Sequence, residues 1–133
     1  MLPIASSAAQ ILSADDLVTE VVEVSQWGCS VRVRSMTAKD RDAFSESIPV
    51  DEAGTMDTTN YRSKLLARCI VDEGGNLLFT EDQVDALANK SAGAILTVFM
   101  VADRLNGISA NAAKNIEKNS DAATSGGSTS ASV

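Results

Sequence analysis

The residues of this chain with reactive potential crowd into one short stretch, Trp27-Gly28-Cys29-Ser30-Val31-Arg32-Val33-Arg34. It holds the only tryptophan, one of the two cysteines and two arginines. A cysteine or serine nucleophile needs a base within hydrogen-bond reach. The chain contains no histidine, so Cys29, Cys69 and every serine lack the usual partner. Ser63 and Lys64 are adjacent, and neighbours on a helix point in different directions. A zinc site needs about four nitrogen or sulfur ligands. Two cysteines forty residues apart, with no CxxC pair, cannot supply them, and both are read as reduced cytosolic thiols. The carboxylate pairs Asp15/Asp16, Asp51/Glu52 and Asp72/Glu73 each fall in or beside a turn, where acids are simply solvated. Gly74-Gly75 is followed by no G-K-[ST] and makes no phosphate loop. No catalytic residue, metal or cofactor is expected, and the chain is not read as an enzyme.

The elements that position these residues follow from periodicity. Val22 and Val24 alternate with Val21 and Glu23, and Val31 and Val33 alternate with Arg32 and Arg34. Alternation on both sides of a glycine-containing turn predicts a hairpin over 20–35. With Trp27-Gly28 as its tip, Val24 faces Val31, Val22 faces Val33, and Glu23 pairs with Arg32 across the strands. A two-stranded ribbon is marginal alone and must dock on helices.

Those helices are expected at about 38–48, 58–71, 80–89, 91–106 and 109–118. Thr37 caps the first, and Phe44 and Ile48 line its apolar side. Asp57 or Thr58 caps the second, which buries Tyr61, Leu65, Leu66, Cys69 and Ile70. Asp72-Glu73-Gly74-Gly75-Asn76 is the strongest turn signal in the chain, and Leu77-Leu78-Phe79 extends from it as a short strand or a plug into the core. Thr80-x-x-Gln83 has the form of a capping box. The 91–105 segment is apolar nearly all round, so it lies centrally or is covered by another copy of the protein. Residues 1–18 form an N-terminal arm, either a short helix or a mobile lead-in. The 119–133 tail is Ser/Ala/Gly-rich with almost nothing to bury, and is expected to be disordered. The fold class is α+β, mainly α: one 19–118 domain with an N-terminal β-hairpin packed on about four to five helices.

Composition bounds the partners. A chain of 133 residues with 44% hydrophobic content has room for one domain with a real core. Its net charge of −7 and scattered cations argue against binding a line of phosphates or an anionic membrane surface. Residues 1–60 hold ten acids and four bases, against eight and seven in 61–133. No stretch approaches the ~20 apolar residues of a membrane span, and no signal peptide is legible, so a soluble intracellular protein is expected. Trp27 either folds back on the hairpin or a neighbouring helix, or serves as an exposed interface anchor. Arg32 and Arg34 form either a solvated strand face or a recognition patch. Candidate partner-binding residues are Trp27, Arg32, Arg34, Phe99 and Met100.

The order of these pieces resembles the tail assembly chaperones of long-tailed bacteriophages and prophages. The resemblance runs over about residues 15–118. It is carried by the W-G-x-x-V-x-V-R hairpin (27–34), the LLARCIVDEGGNLLFTEDQVDAL block (65–87) and the RLNG helix end (104–107). It implies a protein of the bacterial host cytoplasm that binds the tape measure protein, keeps it soluble and promotes tail tube assembly, yet is absent from the mature virion. It also implies self-association into a homo-oligomer. A longer product made by ribosomal frameshifting would contact the major tail protein, with Ser120–Val133 as a linker. The alternative reading is a small structural tail or connector component retained in the particle.

Overall fold

The computed structural model describes residues 1–109; the expected last helix and the polar tail lie beyond Ser109, outside the described residues. The α+β, mainly α class holds: a three-stranded antiparallel sheet accompanies five helices among the described residues. Strand β1 (Thr19–Val24) pairs with β2 (Cys29–Arg34), and β2 pairs with a two-residue β3 (Ile70–Val71), in the order β1-β2-β3. Helices α1 (Ala8–Leu12), α2 (Ala38–Glu46), α3 (Tyr61–Ala67), α4 (Val84–Ala88) and α5 (Ala92–Asn106) complete the order.

The hairpin closes differently from the expected tip. Ser25–Trp27 forms a single 3₁₀ turn, and Gly28 follows at φ 67°. The closing pair is Val24–Cys29, so Val22 faces Val31 and Glu20 faces Val33. Glu23 consequently lies opposite Ser30, and Arg32 opposite Val21, so the expected Glu23–Arg32 cross-strand pair is not made. The loop has four residues instead of two, which shifts the register by two. A two-residue shift preserves which face each side chain occupies. Val22, Val24, Val31 and Val33 therefore all remain buried, on the face that packs against α5.

A second correction concerns the expected 58–71 helix. It starts at Tyr61, capped by Asn60 in a left-handed conformation (φ 58°) instead of by Asp57 or Thr58. Asp57 instead accepts the Thr59 N–H at 2.9 Å, a turn that holds its carboxyl below the usual range. At the other end the helix stops at Ala67. Tight bonds from Arg68 N–H to Leu65 O and from Cys69 N–H to Leu66 O close it, and Ile70-Val71 turn outward into β3. The Arg34 N–H reaches Cys69 O at 2.8 Å and starts the new pairing. Ile70 and Val71 are β-branched and buried, so a sheet edge suits them better than a helix end.

The Asp72–Asn76 turn behaves as its sequence dictates. Asp72 Oδ1 accepts the N–H groups of Gly74 and Asn76 at 2.8 and 3.0 Å, and Gly75 sits at φ 85°. Leu77 then bridges back to Val71, and Phe79 packs on the core. The expected 80–89 helix opens as a 3₁₀ turn (Glu81–Gln83) before α4, with the Thr80 N–H donating to Gln83 Oε1 at 3.0 Å. Ser91 Oγ caps α5 by accepting from the Ala94 N–H at 3.3 Å, and Gly107 ends the helix at φ 63°. Leu65, Leu66, Ile70, Val33 and Val98 form the innermost core, each burial worth ~1.5–3 kcal/mol. No described helix is long and apolar enough to cross a membrane.

Candidate partner-binding surface

Helix α5 separates a covered side from an uncovered one. Ala94, Ile95, Val98 and Ala102 are buried against the sheet and α3. Leu96 and Met100 lie on the other side and are 43% and 62% exposed. They are four residues apart, so they stack one turn above the other on the helix surface.

One groove lies beside this helix, and a second lies between the hairpin tip and α4. The first, of about 530 Å³, is lined by Met56, Tyr61, Arg62, Ile95 and Phe99. The Tyr61 ring stands edge-on between Phe44 (5.4 Å) and Phe99 (6.3 Å), and the Arg62 guanidinium lies 5.4 Å over the Phe99 ring. Burial, with Asp103 adding to it, raises the Tyr61 hydroxyl above its ordinary range and keeps it a neutral donor. The second groove, of about 250 Å³, is lined by Trp27, Phe79, Ala86 and Leu87. Lys90, at the α4–α5 junction, borders both grooves.

The sequence-predicted residues divide between this surface and the rest of the fold. Trp27 is half-buried in the smaller groove, and its indole Nε1 is buried with no hydrogen-bond partner among the described residues. Phe99 lines the larger groove, and Met100 stands on the open face of α5. Arg32 lies elsewhere, half-buried in a shallow groove with Val21, Asp72, Glu73 and Leu78. Arg34 is engaged within the fold: its Nη2 lies 2.7 Å from Asp40 Oδ2, and its Nη1 donates to Gly75 O at 3.3 Å. Arg68 continues that network, with Nη1 3.5 Å from Asp40 Oδ1 and its Nη2 paired with Glu81. The four charged side chains tie β2, α2, the end of α3 and the turn before α4 together.

Sequence reasoning missed Met56, Phe79, Leu87 and Leu96 as surface-forming residues. Phe79 and Leu87 were legible only as apolar positions, and nothing local says that they meet Trp27. Met56 lies in a loop closed by the Val50–Met56 bridge, which no periodicity announces.

The two cysteines differ sharply. Cys29 is exposed, whereas Cys69 is fully buried. Burial drives the Cys69 thiol up to about 12, opposed in part by the Asn106 amide 3.5 Å from its sulfur. It stays protonated and packs as a small apolar group.

No protein-family model matches the chain, and no curated protein matches it. Among solved structures, the tail assembly chaperone of bacteriophage HK97 is similar with a TM-score of 0.49 and 15% sequence identity, over 71% of this chain and 89% of that chain.

Proposed function

We propose that the chain is a phage tail assembly chaperone that binds the tape measure protein, keeps it soluble, promotes tail tube assembly and does not remain in the mature virion. The observation that carries the reading is the uncovered apolar surface of α5, with Leu96 and Met100 exposed and Phe99 lining a groove beside the helix. A holdase for a long helical client needs this kind of surface, because an amphipathic helix lays its apolar face into a hydrophobic groove. Methionine suits it, since an unbranched thioether adapts to irregular partners. The net charge of −7 supplies repulsion that keeps such a protein dispersed. The resemblance of the hairpin, the 65–87 block and the helix end to the chaperone family supports the same reading. Under it the protein acts in the host cytoplasm, self-associates along its client and meets the major tail protein through a frameshifted extension.

Co-expression with the long, helix-rich protein encoded next to it tests the proposal. The client should be soluble and co-purify with the wild-type protein, and both effects should disappear with Leu96→Glu/Met100→Glu. A client equally soluble without this protein ends the chaperone reading. Mass spectrometry of purified particles decides the rest: a chaperone is missing from them, and a structural tail component is present.

A further inference from the structure

The larger groove, between α3 and α5, is cationic on an acidic protein. The chain has a net charge of −7, yet the charged residues lining this groove are Arg62 and Lys90, with no Asp or Glu among them. Both side chains are exposed, and neither makes an ion pair or a side-chain hydrogen bond among the described residues. Other cations are engaged: Arg34, Arg68 and Arg104 pair with acids, while Arg41 and Lys64 donate to Asn106 O and Ser47 O. The Arg62 guanidinium is held 5.4 Å over the Phe99 ring, which places unpartnered donors directly beside apolar surface. Three acids border the groove, and each already accepts within the fold: Asp57 from the Thr59 N–H, Asp85 from Asn60 Nδ2, and Asp103 from the Ser109 N–H and Oγ–H.

The apolar part of the groove continues onto the open side of α5. Ala92, Leu96, Phe99 and Met100 stand at i, i+4, i+7 and i+8, so they share one helix face. Ala92 and Phe99 line the groove, and Leu96 and Met100 extend it outward, 43% and 62% exposed. None of the lining residues belongs to the sheet, so an extended segment would find no ladder partners there. A helix laid along α5 needs none, because its backbone is satisfied internally.

Resting on the chaperone reading, we infer that this groove selects client helices whose apolar stripe is bordered by acidic residues. Lys90 precedes the first turn of α5, and Arg62 stands over Phe99 about two turns further on. The two cations are therefore spaced ~10–13 Å along the helix axis. A client helix meets both when its acids lie seven or eight residues apart, on the same border of its stripe. The chain's own N-terminal arm is not such a segment, since residues 1–14 carry no acid. Basic or unbordered apolar helices gain nothing from Arg62 and Lys90, so the charge pattern gives selectivity that apolar contact alone lacks.

The test uses the full-length protein and three dye-labelled helical peptides of equal length. They share one Leu/Met stripe and differ only in the residues bordering it, which are Glu, Gln or Lys. By fluorescence anisotropy the Glu peptide should bind about tenfold more tightly than the Lys peptide at about 0.05 M salt, and the preference should shrink severalfold at about 0.5 M. Arg62→Gln/Lys90→Gln, at two exposed positions, should bring the Glu peptide down to the affinity of the Gln peptide while leaving the thermal melt unchanged. Leu96→Gln/Met100→Gln should weaken all three peptides by a similar factor. Equal affinity for the Glu and Lys peptides overturns the inference, as does a failure to bind any of the three. So does a preference that survives the double Arg62/Lys90 replacement, or binding indifferent to Leu96 and Met100. Light scattering that shows a dimer lost in Arg62→Gln/Lys90→Gln would give the groove to a second copy and overturn it equally. Client solubility in co-expression judges the chaperone reading separately: a client still kept soluble by a protein that binds all three peptides alike ends only the charge selection.

Discussion

Asp40→Ala should destabilise the protein far more than the loss of an ordinary surface charge. The Asp40 side chain is 15% exposed and lies between Arg34, 12% exposed, and Arg68, 20% exposed. Its removal strands two guanidiniums that were brought largely out of water to meet it. A hydrogen bond to a charged group contributes ~1.5–3 kcal/mol, and breaking a fully buried pair costs ~3–5 kcal/mol. Residual exposure pulls the second figure down, while loss of an acid in the first turn of α2 adds ~0.3–1 kcal/mol. The expected loss is ~3 kcal/mol, a large share of the ~5–15 kcal/mol of a typical domain. Thermal unfolding followed by circular dichroism should therefore show Tm falling by ~10 °C. The internal control is Glu20→Ala, which breaks the Glu20–Arg104 pair whose side chains are 41% and 60% exposed. That change should cost less than ~1 kcal/mol and vanish at about 0.5 M salt, whereas the Asp40 effect should persist. Arg34→Met combined with Asp40→Leu should recover part of the loss, because it removes one of the two guanidiniums left without Asp40. If Asp40→Ala costs no more than Glu20→Ala, or is screened as readily, the network does not hold the hairpin to the helices.

Three further outcomes follow from the same geometry. Gly28→Ala should cost ~1 kcal/mol in urea unfolding from its positive φ alone, since an added Cβ meets nothing within 4 Å, and Gly28→Asn should cost less. In a thiol titration of the native protein at pH 8, Cys29 should react rapidly and Cys69 only on unfolding; because the Cys69 pKa is raised from 9.0 to about 12, its contribution to stability is complete below pH 9 and is lost as pH rises towards 12, which comparison with Cys69→Ala checks. Ser91→Ala should cost ~1 kcal/mol by stripping the α5 N-terminus of its side-chain acceptor, read as a lower urea midpoint at unchanged m-value.

Much of this fold was legible in local pattern, and its departures have local causes. The valine alternation placed four residues on one sheet face, and they stayed there although the register moved by two. A wrong loop length preserves facing when the error is even. It does not preserve cross-strand partners, which is why the Glu23–Arg32 pair failed while the core survived. Ile70-Val71 could not be separated from the helix before it, because a short apolar run fits either period. What settles the matter is the exposed edge of β2, which sequence spacing does not reveal. Caps at Thr37, Ser91 and Gly107 were readable because each satisfies a helix end within a few residues. The Arg34–Asp40–Arg68–Glu81 network was not, because it joins elements far apart in the chain. The surface divides along the same line. Trp27, Phe99 and Met100 stand out by residue type, whereas Met56, Phe79 and Leu87 join them only through tertiary packing.

The end of α5 has a mechanical consequence. The Asn106 side chain accepts the Met36 N–H at 2.7 Å and donates to Ala102 O at 2.8 Å, while its backbone carbonyl accepts from Arg41 at 3.3 Å. Beyond Gly107, Ser109 donates through its N–H and Oγ to Asp103, so a pull there loads the end of α5. Asn106 ties that end to the link between β2 and α2, which the Arg34–Asp40 pair spans in turn. The C-terminal end of α5 is thus fastened to two other elements as well as to its own helix.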